Sequence, residues 1–164
     1  MEKIEKTMGK SAFIISKPLQ YFNVCNIEDF SLKVLIIVNA FNGAEKLFLD
    51  IKNKSNYWDE VLFCNNYSEA FYSIRNNSYD KLYIDGDYSF SMIKELRKFR
   101  SIEIFVYEEG IGTYTNNIRN IVQQNKYGRG SFFQKIKWSL TSIFFKLNGH
   151  ENYHGGFSGT KGIY

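Results

Sequence analysis

Proline and cysteine are scarce in this chain of 164 residues, which has one proline, Pro18, and two cysteines. The single proline excludes any motif that needs a proline elsewhere in the chain. Cys25 and Cys64 have neither the number nor the spacing for a disulfide framework or a zinc site. We therefore expect both to be reduced thiols of the core.

Long hydrophobic runs are also absent from the sequence. No stretch approaches the ~20 apolar residues of a membrane-spanning helix, and the early run Ala12–Ile15 is too short for the core of a signal peptide. These absences predict a protein of the reducing cytoplasm. The net charge of +4 suits an anionic substrate or a membrane surface, but it is too small to indicate nucleic acid.

What the chain does have is an alternation of short apolar runs with amphipathic segments. With 44% hydrophobic and 23% charged residues, it is long enough for one domain with a substantial core. The alternation predicts βαβ units, and hence an α/β, Rossmann-like open parallel sheet with helices on both faces. The predicted strands are Ala12–Ser16, Val34–Val38, Val61–Cys64, Leu82–Ile84 and Ile102–Val106.

Helical periodicity follows these strands. Asn42 and Glu45 resemble a capping box, and Ser68 and Ser89 are predicted to begin the next two helices. The first of these helices is predicted to face inward with Ala44, Leu47, Phe48 and Ile51. The second is predicted to do so with Phe71 and Ile74, and the third with Met92, Leu96 and Phe99. A further helix is predicted for Asn117–Gln124.

The last part of the chain has a different character. Residues 1–148 are predicted to form the Rossmann-like domain, and residues 149–164 a glycine-rich loop. Within that loop, Gly162-Ile163-Tyr164 resembles the first residues of a strand. We therefore expect the chain to be a fragment of a longer enzyme, with the loop leading to a missing second domain.

The most informative motif is acidic and follows the predicted strand Ile102–Val106. Glu108, Glu109, Gly110 and Gly112 stand where this strand ends and a helix is about to begin, at the edge of an α/β sheet where ligands bind. A carboxylate at that edge can act as a general base toward a hydroxyl group. The glycines let a substrate approach the backbone closely. The alternative is a helix N-terminus, where the macrodipole favours acidic residues.

Two further segments are candidates for substrate binding. In Lys17-Pro18-Leu19-Gln20, Pro18 suits the first turn of a helix, and Gln20 could face a ligand from that turn, although a helix start alone explains the pattern. Arg129, between two glycines, could meet an anionic sugar or phosphate, although such an arginine is more often simply solvated.

The Pro-Leu-Gln turn at residues 18–20 and the acidic motif at residues 108–110 together resemble bacterial sialyltransferases. The resemblance is to the lipooligosaccharide sialyltransferases of glycosyltransferase family 52 and the related capsular polysialyltransferases. It implies a GT-B fold, in which two Rossmann-like domains enclose the active site, and it covers the N-terminal, acceptor-side domain alone. It also implies inverting transfer of sialic acid from CMP-sialic acid to a bacterial surface glycan, without a metal or another cofactor. Glu108 or its neighbour Glu109 would serve as the base, with Glu108 preferred.

The chain departs from this family in one respect. Neither His150 nor His154 precedes a proline, so the His-Pro pair that holds CMP-sialic acid in the family's C-terminal domain is absent. The donor-binding domain is therefore expected to be missing, supplied by another polypeptide or lost through gene decay. The expected partners are the CMP-sialic acid donor and the glycan acceptor, and no nucleic acid.

Two other functions stay open. Asp85-Gly86-Asp87 follows the predicted strand Leu82–Ile84 and could hold Mg²⁺ or Mn²⁺ in a metal-dependent nucleotide-sugar glycosyltransferase. Asp and Gly are also common turn residues, which favours an ordinary turn. The chain could instead be a non-enzymatic, flavodoxin-like binding module. His150 and His154 have the i, i+4 spacing of zinc ligands on a helix, but the glycines around them favour a loop.

The segment Ser131–Leu147 is predicted to be an amphipathic helix. Its apolar stripe comprises Phe133, Ile136, Leu140, Ile143, Phe144 and Leu147, flanked by Lys135, Lys137 and Lys146. Such a helix could lie on an anionic membrane surface, at the inner face of the membrane. The alternative, slightly favoured by the pattern, is a helix that packs on the core or on the missing domain.

Overall fold

The computed structural model of the chain describes residues 9–87, 89–107, 132–150 and 158–163. It has the predicted α/β, Rossmann-like fold, an all-parallel sheet of six strands in the order β3-β2-β1-β4-β5-β6. The strands are β1 (Lys10–Ile15), β2 (Leu32–Val38), β3 (Glu60–Cys64), β4 (Lys81–Ile84), β5 (Glu103–Val106) and β6 (Thr160–Ile163). The described helices are α1 (Pro18–Cys25), α2 (Ala44–Lys54), α3 (Tyr67–Asn76), α4 (Phe90–Leu96) and α5 (Phe132–Leu147).

The core lies along the two longest strands, β1 and β2. Their continuous apolar runs are buried on both faces, as expected for interior strands of a parallel sheet. Phe13, Ile14, Leu35 and Ile36 have no exposed surface, and Phe13 pairs with Tyr83 of β4 in the strand register. The rings of Phe13 and Tyr83 stack with centroids 4.4 Å apart, so aromatic packing adds to the backbone pairing of β1 and β4.

The five predicted strands are confirmed, with ends that differ by at most two residues. The short run at the chain's end forms the sixth strand, which pairs in parallel with β5 from Ile104↔Thr160 to Val106↔Ile163. The register shifts between Ile104 and Phe105, which marks a local bulge.

The observed helix starts agree less well with the predicted ones. Helix α2 begins after Gly43, which has φ +89° and no side-chain cap, so the predicted Asn42–Glu45 capping box is wrong. Helix α3 begins at Tyr67 because the Asn66 side chain accepts a hydrogen bond from the backbone N–H of Glu69 at 3.0 Å, so the predicted start at Ser68 is wrong. The Ser89 cap is confirmed, with its hydroxyl accepting from the Met92 N–H at 3.1 Å.

The predicted inward faces are largely confirmed. Five of the residues are buried: Ala44, Ile51, Phe71, Ile74 and Leu96. Four are half-buried: Leu47, Phe48, Met92 and Phe99. The predicted helix Asn117–Gln124 lies outside the described residues.

Both cysteines are free thiols; Cys64 is buried and Cys25 is half-buried. Burial, and next to it the charge of Glu69, raises the pKa of Cys64 to about 11. Burial also raises the pKa of Cys25. Thiols with raised pKa values are poor nucleophiles at neutral pH, which fits the predicted role of both residues in packing.

The chain divides into two compact units. The first extends to Asp85 and includes Ser101–Glu103, and the second comprises Gly86–Arg100 and the chain from Ile104 onward. The predicted boundary at residue 148 lies within the second unit. In the described ranges, no helix is long and apolar enough to cross a membrane.

Helix α5 turns most of its apolar stripe outward. Ile136, Leu140, Ile143 and Leu147 are 42%, 63%, 54% and 80% exposed, while Phe144 is half-buried. The prediction that the stripe packs on the core is therefore wrong for these four residues. Packing on a missing domain, the other half of that expectation, stays a prediction. The sequence period shows that a stripe exists, but it carries no information on what covers it. The side chain of Phe133 lies outside the described part of the chain.

Candidate functional site

The carboxyl ends of β1 and β4 form the candidate site, which lies within the first unit. These strands are neighbours, and they are also where the direction of the sheet reverses, since β2 and β3 lie beyond β1 while β5 and β6 lie beyond β4. In open α/β sheets, the loops that leave such a reversal go to opposite faces, and the crevice between them binds ligands. Ser16 follows β1 directly and Asp85 follows β4 directly.

Asp85 is the centre of a buried hydrogen-bonded cluster. It is 8% exposed, and its Oδ2 accepts from Ser16 Oγ and from Gln20 Nε2, each at 3.0 Å. The phenol of Tyr67 donates to the same carboxylate, lying 2.9 Å from Oδ1 and 2.8 Å from Oδ2. Three donors satisfy a carboxylate that burial would otherwise penalise, so Asp85 is held in a fixed orientation at the switch point.

Gln20 joins this cluster to the β1–α1 turn. Its Oε1 accepts from the backbone N–H groups of Ser16 at 2.6 Å and Lys17 at 3.0 Å, while the side chain is 1% exposed. Pro18, at the first helical position, has no N–H to offer. The backbone donors that precede α1 are therefore taken up by the protein itself.

This arrangement has a chemical consequence. In nucleotide-binding Rossmann domains, a glycine-rich β1–α1 turn presents its N–H groups to a phosphate at the helix N-terminus. Here the turn has no glycine, and the Gln20 amide oxygen occupies the position of such an acceptor. The turn is built to be rigid, and it does not offer the first two N–H groups to a phosphate.

The structure thus places Pro18 on the surface and Gln20 inside the cluster. Direct contact of either residue with a substrate stays a prediction. What the geometry shows for Gln20 is a positioning role, because it links Asp85 of β4 to the turn after β1.

Besides Ser16, Tyr67 is a member of the cluster that sequence reasoning missed. It is the first residue of α3, and its position follows from the local cap, in which Asn66 accepts from Glu69 N–H and Glu69 accepts from Asn65 N–H at 2.8 Å. The signal that could have found it is Asn66 with Glu69 three residues later, which is a capping-box pattern. That pattern starts the helix at Tyr67, and the phenol of Tyr67 reaches Asp85 at the end of β4.

Neutral amides surround the carboxyl ends of the neighbouring strands. Asn39 follows β2, Asn42 lies in the β2–α2 loop, and Asn65 follows β3, and all three are exposed. The Nδ2 group of Asn65 donates to Glu69 at 3.0 Å, which leaves its amide oxygen toward a ligand. An amide side chain has both a donor and an acceptor end. It therefore suits a hydroxyl-rich ligand, which also donates and accepts.

The acidic motif lies outside the described residues. Strand β5 ends at Val106 and Tyr107 is 1% exposed; Glu108 is the next residue in the chain. The predicted roles of Glu108, Glu109, Gly110, Gly112 and Arg129 therefore stay predictions.

The alternative metal site at Asp85 and Asp87 is disfavoured by the hydrogen bonds of Asp85. A carboxylate that ligates Mg²⁺ or Mn²⁺ must turn its oxygens toward the cation, whereas both oxygens of Asp85 face side-chain donors. Within the described ranges, no three His, Cys, Asp or Glu side chains lie together in a way that could hold a metal ion.

Asp87 belongs to the second unit, where it lies beside a histidine. The Nε2 atom of His150 is 3.5 Å from Asp87 Oδ1, and the two residues are 3% and 0% exposed. Thr160 Oγ1 lies 3.5 Å from Asp87 Oδ2. The prediction that His150 lies outside a helix is confirmed, since α5 ends at Leu147; His154 is outside the described residues.

A second buried carboxylate lies toward the amino ends of the same strands. Asp29 accepts from Tyr83 OH at 2.7 Å, from Ser11 Oγ at 3.2 Å and from the Ser31 N–H at 2.8 Å. Lys81 pairs with it at 3.1 Å. Burial raises the pKa of Asp29, but the hydrogen bonds from Ser31, Tyr83 and Lys81 outweigh it and hold that pKa well below its usual range. Since ligands bind at the opposite edge of such sheets, this cluster is structural.

Comparison of the chain with protein-family models, with curated proteins and with solved structures finds no match. The α/β, Rossmann-like fold and the geometry at the carboxyl edge of its sheet are therefore the basis on which a function can be assigned.

Proposed function

We propose that this chain is the acceptor-side domain of an inverting glycosyltransferase that transfers sialic acid from CMP-sialic acid to a bacterial surface glycan. The acceptor would bind along the carboxyl edge of the sheet. The donor would be held by a second domain, which carries the His-Pro pair. The reaction would take place at the cytoplasmic side of the membrane, where surface glycans are assembled.

One observation carries the assignment to the acceptor side. The β1–α1 turn, which holds phosphate in nucleotide-binding Rossmann domains, is closed here by the Gln20 side chain at 2.6 Å and 3.0 Å from two backbone nitrogens. A domain with this turn is poorly suited to bind CMP there. The same edge carries exposed amides at Asn39, Asn42 and Asn65, which are suited to sugar hydroxyl groups.

The acidic motif supplies the chemistry of the proposal. Glu108 follows the end of β5, and a carboxylate there would accept the proton of an acceptor hydroxyl as its oxygen attacks the anomeric carbon of the donor. The new glycosidic bond forms as the bond to the CMP phosphate breaks, and CMP leaves with the bonding electron pair. This transfer needs no oxidant, reductant or metal, because the bonds formed and broken account for all of its electrons and protons.

A binding experiment separates this function from its alternatives. Ligand-observed NMR on the 164-residue chain should show saturation transfer to an oligosaccharide released from lipooligosaccharide, and none to CMP. The double substitution Asn39→Ala/Asn42→Ala should weaken the glycan signal. The matched control is Asn76→Ala, which removes an exposed amide at the end of α3, and it should leave the signal unchanged.

Other outcomes would point elsewhere. Binding of CMP in place of the glycan would make this the nucleotide-binding half of an enzyme. Manganese-dependent binding of a nucleotide-sugar diphosphate, lost in Asp85→Asn, would support the metal-dependent transferase. Binding of neither class of ligand would contradict the proposal.

A further inference from the structure

Helix α5 carries an apolar stripe on the surface of the second unit. Five large side chains in i, i+3 and i+4 positions are exposed: Phe132, Ile136, Leu140, Ile143 and Leu147, from 42% to 80%. At a rise of ~1.5 Å per residue, the stripe runs for about 22 Å. Single exposed apolar residues are ordinary on protein surfaces, but a continuous row marks a surface that something covers.

The same helix is entirely basic in its charge. Residues 132–147 contain Lys135, Lys137 and Lys146 and no Asp or Glu, and Lys146 is exposed. In comparison, helix α2 mixes Lys46, Lys52 and Lys54 with Glu45 and Asp50. One helix therefore combines an exposed apolar row with three lysines and no acidic residue, which give it a net charge of +3.

Charge decides which occupant suits this surface. A second copy of the helix would add three more lysines to an interface that already has three, and like charges repel at close range. An anionic lipid surface attracts them, at a gain of about 1 kcal/mol for each lysine near the headgroups. Interfacial helices have this combination of an apolar row and basic residues, and they lie in the plane of the membrane with the row buried ~5–10 Å deep.

We propose that α5 is an interfacial helix, which docks this chain on an anionic lipid surface through Phe132, Ile136, Leu140, Ile143 and Leu147. The helix lies along the surface and does not cross it, in agreement with the absence of a membrane-spanning helix from the described ranges. The docking does not depend on the proposed transfer chemistry, because it uses residues of α5 alone.

Vesicle flotation tests the apolar part of the surface. The wild-type chain should float with vesicles of phosphatidylglycerol and phosphatidylcholine, and should remain at the bottom of the gradient with phosphatidylcholine alone. Leu140→Ser/Leu147→Ser should lower the partition coefficient roughly tenfold or more. The matched control is Leu49→Ser on α2, which alters a leucine that is 49% exposed and should have no effect.

A pair of triple variants tests the electrostatic part. Lys135→Gln/Lys137→Gln/Lys146→Gln and Lys46→Gln/Lys52→Gln/Lys54→Gln each lower the net charge of +4 by three. The first set should reduce flotation at least tenfold, and the second much less. Raising the salt concentration should weaken wild-type binding, because it screens the lysines.

Three results would overturn the proposal. The first is equal flotation of the wild type with neutral and anionic vesicles. The second is equal loss of binding in the two triple variants, which would show a non-specific effect of net charge. The third is a concentration-dependent dimer in light scattering that Leu140→Ser/Leu147→Ser abolishes, without vesicle binding, which would assign the stripe to a second copy. Circular dichroism of each variant confirms that it is folded.

Discussion

At the scale of single residues, the hydrogen-bond partners of Asp85, and not its burial, decide its role. A buried carboxylate at a strand end could be a catalytic group, a metal ligand or a structural anchor. Its donors are Ser16, Gln20 and Tyr67, all side chains of the protein. These hydrogen bonds make Asp85 an anchor that positions the turn after β1.

The substitution Tyr67→Phe tests the anchor. It removes one donor to a buried carboxylate, so we expect a loss of about 1–3 kcal/mol in the free energy of unfolding. Urea denaturation measures this loss. The control Tyr72→Phe changes a tyrosine of the same helix that is 63% exposed and should stay within about 0.5 kcal/mol of wild type. Equal effects of both substitutions would mean that the hydrogen bond contributes nothing.

The acidic motif leads to a second prediction at this scale. In an enzyme that combines this domain with a donor-binding domain, Glu108→Gln should lower kcat by roughly 10²–10⁴-fold, the usual effect of losing a general base. The resemblance to the sialyltransferases favours the first acid of the motif as the base, so Glu109→Gln should affect stability more than kcat. Steady-state kinetics with acceptor and CMP-sialic acid measure both. The reverse pattern would make Glu109 the base.

At the scale of elements, Asp29 connects the start of β2 with two central strands. It follows α1 and accepts hydrogen bonds from Ser11 of β1 and from Tyr83 of β4. Burial alone would raise the pKa of Asp29, but the hydrogen bonds from Ser31, Tyr83 and Lys81 lower it. A carboxylate whose pKa is lower in the folded state stabilises the fold above its unfolded pKa of ~3.9. That contribution is lost as the pH falls toward the folded-state pKa.

Asp29→Asn should therefore have an effect that depends on pH. At pH 7 we expect it to lower the free energy of unfolding by about 1–3 kcal/mol, and the difference from wild type should shrink below about pH 4. Urea denaturation at pH 7, 5 and 3 measures the change. Glu28→Gln, which alters the exposed neighbour of Asp29, is the control and should differ little from wild type at any pH. A difference that is constant with pH would contradict the linkage.

At the scale of the whole molecule, the proposed function predicts what the chain does by itself. The 164 residues contain no His-Pro pair, so they should bind the acceptor without turning over CMP-sialic acid. Positioning of the donor against the acceptor supplies a large part of the rate in such reactions. A coupled assay for released CMP measures turnover, and addition of a donor-binding domain with the His-Pro pair should restore it. Robust turnover by the chain alone would refute the assignment to one half of the enzyme.

The sequence by itself determined the fold class and most of the strands. Runs such as Leu35–Val38 are apolar without alternation, and only a strand covered on both faces can bury such a run in a sheet. The Ser89 cap was also predictable, because the hydroxyl and the N–H that it meets are three residues apart. The strands and the Ser89 cap depend on residues that are close together in the chain, so local sequence patterns are enough to predict them.

The tertiary structure alone decided the candidate site and the surface of α5. Asp85 meets Gln20 across 65 residues and Ser16 across 69, and no local pattern shows which side chains the order of the strands will bring together. Likewise, the sequence period of α5 predicts an apolar stripe whether that stripe is covered or exposed. The exposure of the stripe depends on what the rest of the fold covers. Contacts between residues far apart in the chain are set by packing, and for this reason the partners of Asp85 and the exposed face of α5 became visible only in three dimensions.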